Sequence, residues 1–224
     1  MTAPWPLLGF DSRTGEARRW QSLALGLAWV VSRDHGALDV DVCLDAPLPV
    51  AQWLAARLAA DMSEEGLVTW LIGMETPQAI NLLLADRAML TTQQVATGRG
   101  LNDSDWLQLS EGMSRLDAWP LFISTPTADR ARDGLGYLTR EMTVPPSVVV
   151  APPKQSHRRR IAAAVRETGA ATTTIRVGSA GARRGHEPVL GRRVNRRPDA
   201  SRPTLELSTR RNARQLVIEI PDVL

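Results

Sequence analysis

The strongest constraint on this chain is the regular alternation of short apolar runs with segments of helical periodicity. LDVDVCL (38–44), LVTWLIG (67–73), PLFIS (120–124), PSVVVAP (146–152) and TTTIRV (172–177) are rich in Val, Ile and Leu and have the length of buried strands. The segments between them carry helix punctuation. Thr76 followed by Pro77 opens PQAINLLLADRAML, Thr91 and Gln94 have capping-box spacing with Gly98 closing that helix, and Asn102 caps DSDWLQLSEGMSRLD. In the last of these, Trp106, Leu107, Leu109, Met113 and Leu116 fall mainly on one face. ADRARDGLGYLTREM and SHRRRIAAAVRETG continue the alternation. Strands separated by helices predict an α/β fold with a mostly parallel central sheet flanked by helices. TLELS and QLVIEI, separated only by TRRNAR, predict a C-terminal antiparallel hairpin.

A chain of 224 residues fits one domain with a short extension. We place residues 1–35 as an N-terminal extension containing a linker helix over 20–33, and 36–224 as the domain. The apolar run SLALGLAWVV stops at Ser32 and Arg33, short of the roughly 18 residues of a membrane span. The N-terminus lacks a basic start leading into an apolar stretch, so a cytoplasmic protein is expected. A single cysteine, Cys43, and three scattered histidines predict neither an internal disulfide nor a metal centre.

Charge is unevenly distributed. Residues 1–155 carry 12 Lys and Arg against 18 Asp and Glu, whereas residues 156–224 carry 15 against 6, so the chain is −6 in front and +9 behind. Every basic residue but Lys154 is Arg. The stretch 176–203 is rich in Gly, Pro and Arg and reads as a mobile loop. Such a basic region points to nucleic acid, with Arg183, Arg184, Arg192, Arg193, Arg196 and Arg197 as candidate phosphate contacts. Solvation of a charged surface is the alternative. No aromatic residue follows Tyr137, so base stacking is not expected there and binding would be electrostatic and non-specific. Trp20, Trp29 and Trp53 lie in Leu-, Ala- and Val-rich surroundings and read as core or subunit-packing residues.

Residues 73–124 contain Glu75 at a strand end, Thr97-Gly98 closing a short helix, Asp103 to Trp106 opening the next, and the strand Pro120 to Ser124. In this order and spacing the segment resembles the RecA-like motor domain of DnaB-type replicative helicases, strongly over about 52 residues and more weakly over 38–220. The resemblance implies a phosphate-binding loop within CLDAPLPVAQWLAARLA (43–59), ending in Gly-Lys-Thr/Ser. With Pro47 on that loop's proline, Val50 stands at the Gly, Ala51 at the Lys, Gln52 at the hydroxyl residue, and Trp53 follows. Without Gly the backbone cannot readily approach a phosphate. Without the lysine and hydroxyl, a triphosphate would lose hydration for little compensating charge, with Asp45 nearby as a repelling group. Ala151 takes the place of the family's Mg²⁺-supporting Asp, and Val177-Gly178 that of its relay Gln.

Of the family's catalytic groups only Glu75 is retained, at the position of the residue that polarises water; a carboxylate before a helix start also has a structural role. Arg210 and Arg211 in STRRNARQ are similar to the family's hairpin that reaches a neighbour's nucleotide, and here are candidates for subunit contact. The resemblance implies that the segment 20–33 packs on a neighbouring subunit. The expectation is a non-catalytic RecA-like accessory protein of replication or recombination, of the kind carried by mobile elements. It would bind single-stranded DNA and use no cofactor, with a replicative helicase or further copies as protein partners. A divergent ATP-dependent helicase subunit using Glu75, and an adaptor docking on an active helicase ring, are the alternatives.

Overall fold

The computed structural model describes residues 7–31, 42–45, 48–124, 147–150, 174–177, 188–194, 204–209 and 213–220. The described strands are β1 (Leu7–Asp11), β2 (Glu16–Trp20), β3 (Val42–Asp45), β4 (Thr69–Ile72), β5 (Leu121–Ser124), β6 (Ser147–Val150), β7 (Thr174–Val177), β8 (Pro188–Val194), β9 (Thr204–Ser208) and β10 (Arg214–Glu219). They form a single sheet in the order β2-β1-β10-β9-β8-β3-β7-β6-β4-β5. The helices are α1 (Leu23–Val31), α2 (Leu48–Glu64), α3 (Thr76–Ala88), α4 (Thr92–Thr97) and α5 (Asp103–Ala118).

The sheet is only partly parallel. From β8 through β3, β7, β6 and β4 to β5 every pairing is parallel, and from β8 through β9, β10 and β1 to β2 every pairing is antiparallel. The difference follows from the connections. Parallel neighbours need long crossovers, here containing α2 and the α3–α5 run, whereas β1–β2 and β9–β10 are joined by short turns.

The expected extension 1–35 contains a hairpin that sequence periodicity missed. Asp11 nucleates its turn: Oδ1 accepts from the amides of Arg13 (2.9 Å) and Thr14 (3.4 Å), and Gly15 closes it at φ 72°. β1 then pairs with β10, the C-terminal strand, with Asp11 opposite Arg214. The expected helix is present as α1, and one side of it covers this chain's own sheet: Leu23, Leu27 and Val30 are fully buried, while Leu25 is exposed. Trp20 and Trp29 pack at 5.8 Å between ring centroids. Arg214 lies over Trp29, donates to its carbonyl (3.0 Å) and pairs with Asp11 (3.4 Å).

At the centre of the core, α2 is buried on nearly every side, through Val50, Ala51, Trp53, Leu54, Ala55, Ala56, Leu58, Ala59, Ala60 and Met62. Its alanines allow α1, α3 and the sheet to approach closely, which explains an apolar pattern that runs all round the helix. The expected capping box of Thr91 with Gln94 is present, the expected cap Asn102 forms a further box with Asp105, and Gly98 ends α4 in the left-handed conformation. The apolar side of α5 is split. Leu109 is buried and Leu116 packs against the core, while Trp106, Leu107 and Met113 are exposed. No helix among the described residues is long and apolar enough to cross a membrane.

Candidate functional site

Asp45 of β3, Ile72 of β4 and Ser124 of β5 end parallel strands and therefore share one edge of the sheet, the edge at which α2 and α3 begin. In open α/β sheets this edge is the usual ligand crevice. The crossover from β3 is short: only residues 46 and 47, the latter the candidate loop residue Pro47, separate the strand from α2, and both lie outside the described residues. The remaining positions assigned to a phosphate loop already belong to the first turns of α2. Val50 and Ala51 are 2% and 1% exposed and Trp53 is 1% exposed, all three in the main core. Gln52 is half-buried and accepts a hydrogen bond from Gln78 Nε2 (3.2 Å), which ties the first turn of α2 to that of α3.

Glu75 stands on the same edge. Gly73 at φ 101° turns the chain out of β4, and Glu75 becomes the N-cap of α3, one residue earlier than the expected Thr76. Its side chain is exposed and makes no capping hydrogen bond; its carbonyl accepts from the Ala79 amide (2.9 Å). Among the side chains described around the first turns of α2 and α3, Glu75 is an exposed carboxylate and Gln52 and Gln78 are neutral amides. Those groups can accept and donate hydrogen bonds but supply no positive charge to a phosphate.

Behind this edge lies an ionic cluster that the sequence reading missed. Trp53 Nε1 donates to Asp86 Oδ1 (2.9 Å), and Arg57 Nη1 lies 3.6 Å from the same oxygen. Arg57 also lies over the Trp53 ring. Arg87 Nη2 reaches Asp61 Oδ1 (2.9 Å) and Glu64 Oε2 (3.1 Å), and its guanidinium stacks on Trp119. The second oxygen of Asp61 accepts from the Leu23 amide and so caps α1. Burial pushes the Asp61 carboxyl above its ordinary value despite the attraction of Arg57 and Arg87. For Arg87, burial acts against the charge, but Asp61, Asp86 and Glu64 outweigh it and hold the guanidinium above its ordinary value. The available signal was Arg57 and Asp61 at i,i+4 inside a helix with no polar side. The cluster binds α1, α2 and α3 together through ion pairs among its own members and the hydrogen bond from the Leu23 amide, while Asp86 Oδ2 and Arg87 Nε are buried without a hydrogen-bond partner among the described residues.

The arginines of the C-terminal third are not gathered in one loop. β8 runs through the stretch expected to be mobile and places Arg192 and Arg193 on a strand, in register with Glu206 and Leu205 of β9. They are successive positions of one strand. The pattern was hidden because Gly191 and the arginines have loop-like composition; pairing with β3 and β9 on either side satisfies the backbone. Arg183, Arg184, Arg196, Arg197, Arg210 and Arg211 lie outside the described residues, as do Ala151 and Gly178.

No family model matches the sequence, and no curated protein matches it. Solved structures do match in fold. A DnaB-like replicative helicase, whose structure was described with its interactions with primase, aligns at a TM-score of 0.58 and 12% identity over 78% of this chain. The chain spans about half of that protein's length, 53%. An ATPase domain aligns at a TM-score of 0.59 and 13% identity, over 79% of this chain and 78% of that one. At such identities the likeness concerns architecture: this chain has the α/β fold of a helicase ATPase domain.

Proposed function

We propose that the chain is a RecA-like protein without nucleotide chemistry, acting as an accessory factor that associates with DNA and with a replicative helicase or further copies of itself. The observation that carries this reading is the first turn of α2. Where a phosphate loop would present Gly, Lys and a hydroxyl, Val50 and Ala51 are core residues and Gln52 is engaged by Gln78. A helix N-terminus alone contributes about 0.3 to 1 kcal/mol toward an anion at the surface, too little to hold a nucleotide. Glu75 then serves as the N-cap residue of α3. The excess of 15 basic over 6 acidic residues after position 155 is the DNA-directed part of the molecule.

Two titrations test the reading. Thermal melting with millimolar ATP and Mg²⁺ should leave the transition unmoved, and single-stranded DNA should bind with an affinity that falls steeply between about 50 and 200 mM salt. ATP-dependent stabilisation together with hydrolysis that Glu75→Gln abolishes would establish the divergent ATPase reading instead. Affinity for DNA that is flat with salt would remove the electrostatic account. Retention on a helicase ring without any DNA binding would make the chain an adaptor.

A further inference from the structure

The tertiary structure brings an aromatic residue to the basic end of the molecule, where the sequence has none. β1 joins the N-terminus to β10, and through β9 to β8, so a residue of β1 stands three strand spacings, about 14 Å, from the Arg192 and Arg193 strand. One face of this antiparallel part is covered by α1, with Leu7 and Asp11 buried and Gly9 directly beneath Trp20 and Trp29. On the other face Leu8 and Phe10 are 39% and 40% exposed, two large apolar side chains side by side at the end of the sheet.

The strand register continues that face. Arg19 of β2 stands opposite Leu8, which stands opposite Val217, then Glu206, then Arg192; the next row is Ala17, Phe10, Gln215, Ser208 and Leu190. Arg19 is exposed, as is Arg13 in the β1–β2 turn, whereas Arg18 is on the α1 side and paired with Glu16. Further along this face, beside Glu206 and Glu219, Val217 and Thr204 are buried, so among the described residues its exposed apolar part is Leu8 and Phe10 of the β1–β2 hairpin. A surface-exposed aromatic ring with apolar support and flanking guanidinium groups matches the elements by which sheets hold unpaired nucleotides, base on ring and phosphate on arginine.

We propose that the open face of the β1–β2 hairpin is a stacking platform for single-stranded DNA, with a base on Phe10 and Leu8 and the adjoining phosphate on Arg19. The inference rests on the DNA-binding reading above and deepens it: the arginine-rich segments supply non-specific attraction, and this hairpin supplies the contact that distinguishes unpaired bases from duplex.

The test uses the full chain and a thymidine oligonucleotide of about 20 residues, followed by fluorescence anisotropy at two salt concentrations. Phe10→Ala should weaken binding about 5- to 100-fold at both, leaving the slope of log K against log salt unchanged. Phe10→Trp should restore the affinity, while Arg19→Ala should reduce the slope by about 0.7. Phe10 is partly exposed, so an unchanged thermal midpoint verifies that the variants are folded. Wild-type binding that Phe10→Ala leaves intact overturns the platform and spares the DNA-binding reading; absence of binding by the wild-type chain overturns both. Equal affinity for a duplex of the same length also overturns the platform.

Discussion

Restoring the missing phosphate-loop lysine by Ala51→Lys separates a packed turn from a latent nucleotide site. Ala51 is 1% exposed, with Val50, Trp53 and Leu54 buried around it. A lysine fully buried there would have its pKa lowered by about 3 to 5 units, equivalent to about 4 to 7 kcal/mol at neutral pH. The position is in the first turns of α2 and Pro49 is exposed, so the flexible stem can carry the ammonium toward water and recover much of that cost. Crowding the core with four more heavy atoms adds about 1 to 3 kcal/mol. The expected net loss is about 2 to 4 kcal/mol, which for a chain of this size lowers the melting midpoint by about 4 to 16 °C. Ala51→Met, similar in bulk but uncharged, isolates the crowding. Were the turn a latent site, nucleotide at a hundred times its Kd would return about 2.7 kcal/mol. Differential scanning fluorimetry with and without millimolar ATP and Mg²⁺ distinguishes the cases. An Ala51→Lys protein that melts like the wild type and rises by several degrees with ATP refutes the packed-turn account.

The buried cluster yields a second expectation. Asp86→Ala removes the partner of both Trp53 Nε1 and Arg57 and should cost about 3 kcal/mol in urea unfolding, near the low end for a broken buried pair because Asp61 still acts on the region; a loss below about 1 kcal/mol would mean that water or another group already serves Arg57. Gly9→Ala would place a Cβ 2.6 Å from Trp20 Nε1 and 2.9 Å from the Trp29 ring, so it should destabilise by about 1 to 3 kcal/mol, whereas a detached N-terminal extension would tolerate it. Two carboxylates should give opposite pH trends. Asp61, raised by burial, contributes most to stability below the ordinary carboxyl value of 3.8 and loses that contribution as pH rises through its folded value, so Asp61→Asn gains on the wild type with rising pH. For Asp11, burial also acts upward but the amides of Arg13 and Thr14 and the side chain of Arg214 win and hold the carboxyl below its ordinary value. Its contribution is present above 3.8 and lost as pH falls through the folded value, so Asp11→Asn falls behind the wild type with rising pH. Denaturant midpoints of the three proteins check the signs, for Asp61 from pH 3.8 upward and for Asp11 from pH 3.8 downward, and curves parallel to the wild type in its own window would discard that residue's assignment.

Local chemistry carried much of the fold. Hydrophobic runs of strand length, the Thr91 and Asn102 capping boxes and Gly98 act over a few residues, and β3 to β7 and both strands of the C-terminal hairpin stand where periodicity put them. The absence of Gly, Lys and hydroxyl at positions 50–52 is likewise a matter of residue type alone. What the sequence left open depends on pairing across long separations. The β1–β2 hairpin has a single short apolar run, LLGF, and becomes part of the sheet because β10 pairs with it some 200 residues later in the chain. β8 has the composition of a loop and becomes a strand because β3 and β9 flank it. The burial of Arg57 and Asp61 follows from α1 and α3 closing over α2, while the exposure of Trp106 follows from α5 meeting α3 through Leu109. Whether Phe10 stands alone or on a face shared with arginines was decided in the same way, by which strands became neighbours, because hydrogen-bonded register sets a residue's surroundings independently of its distance along the chain.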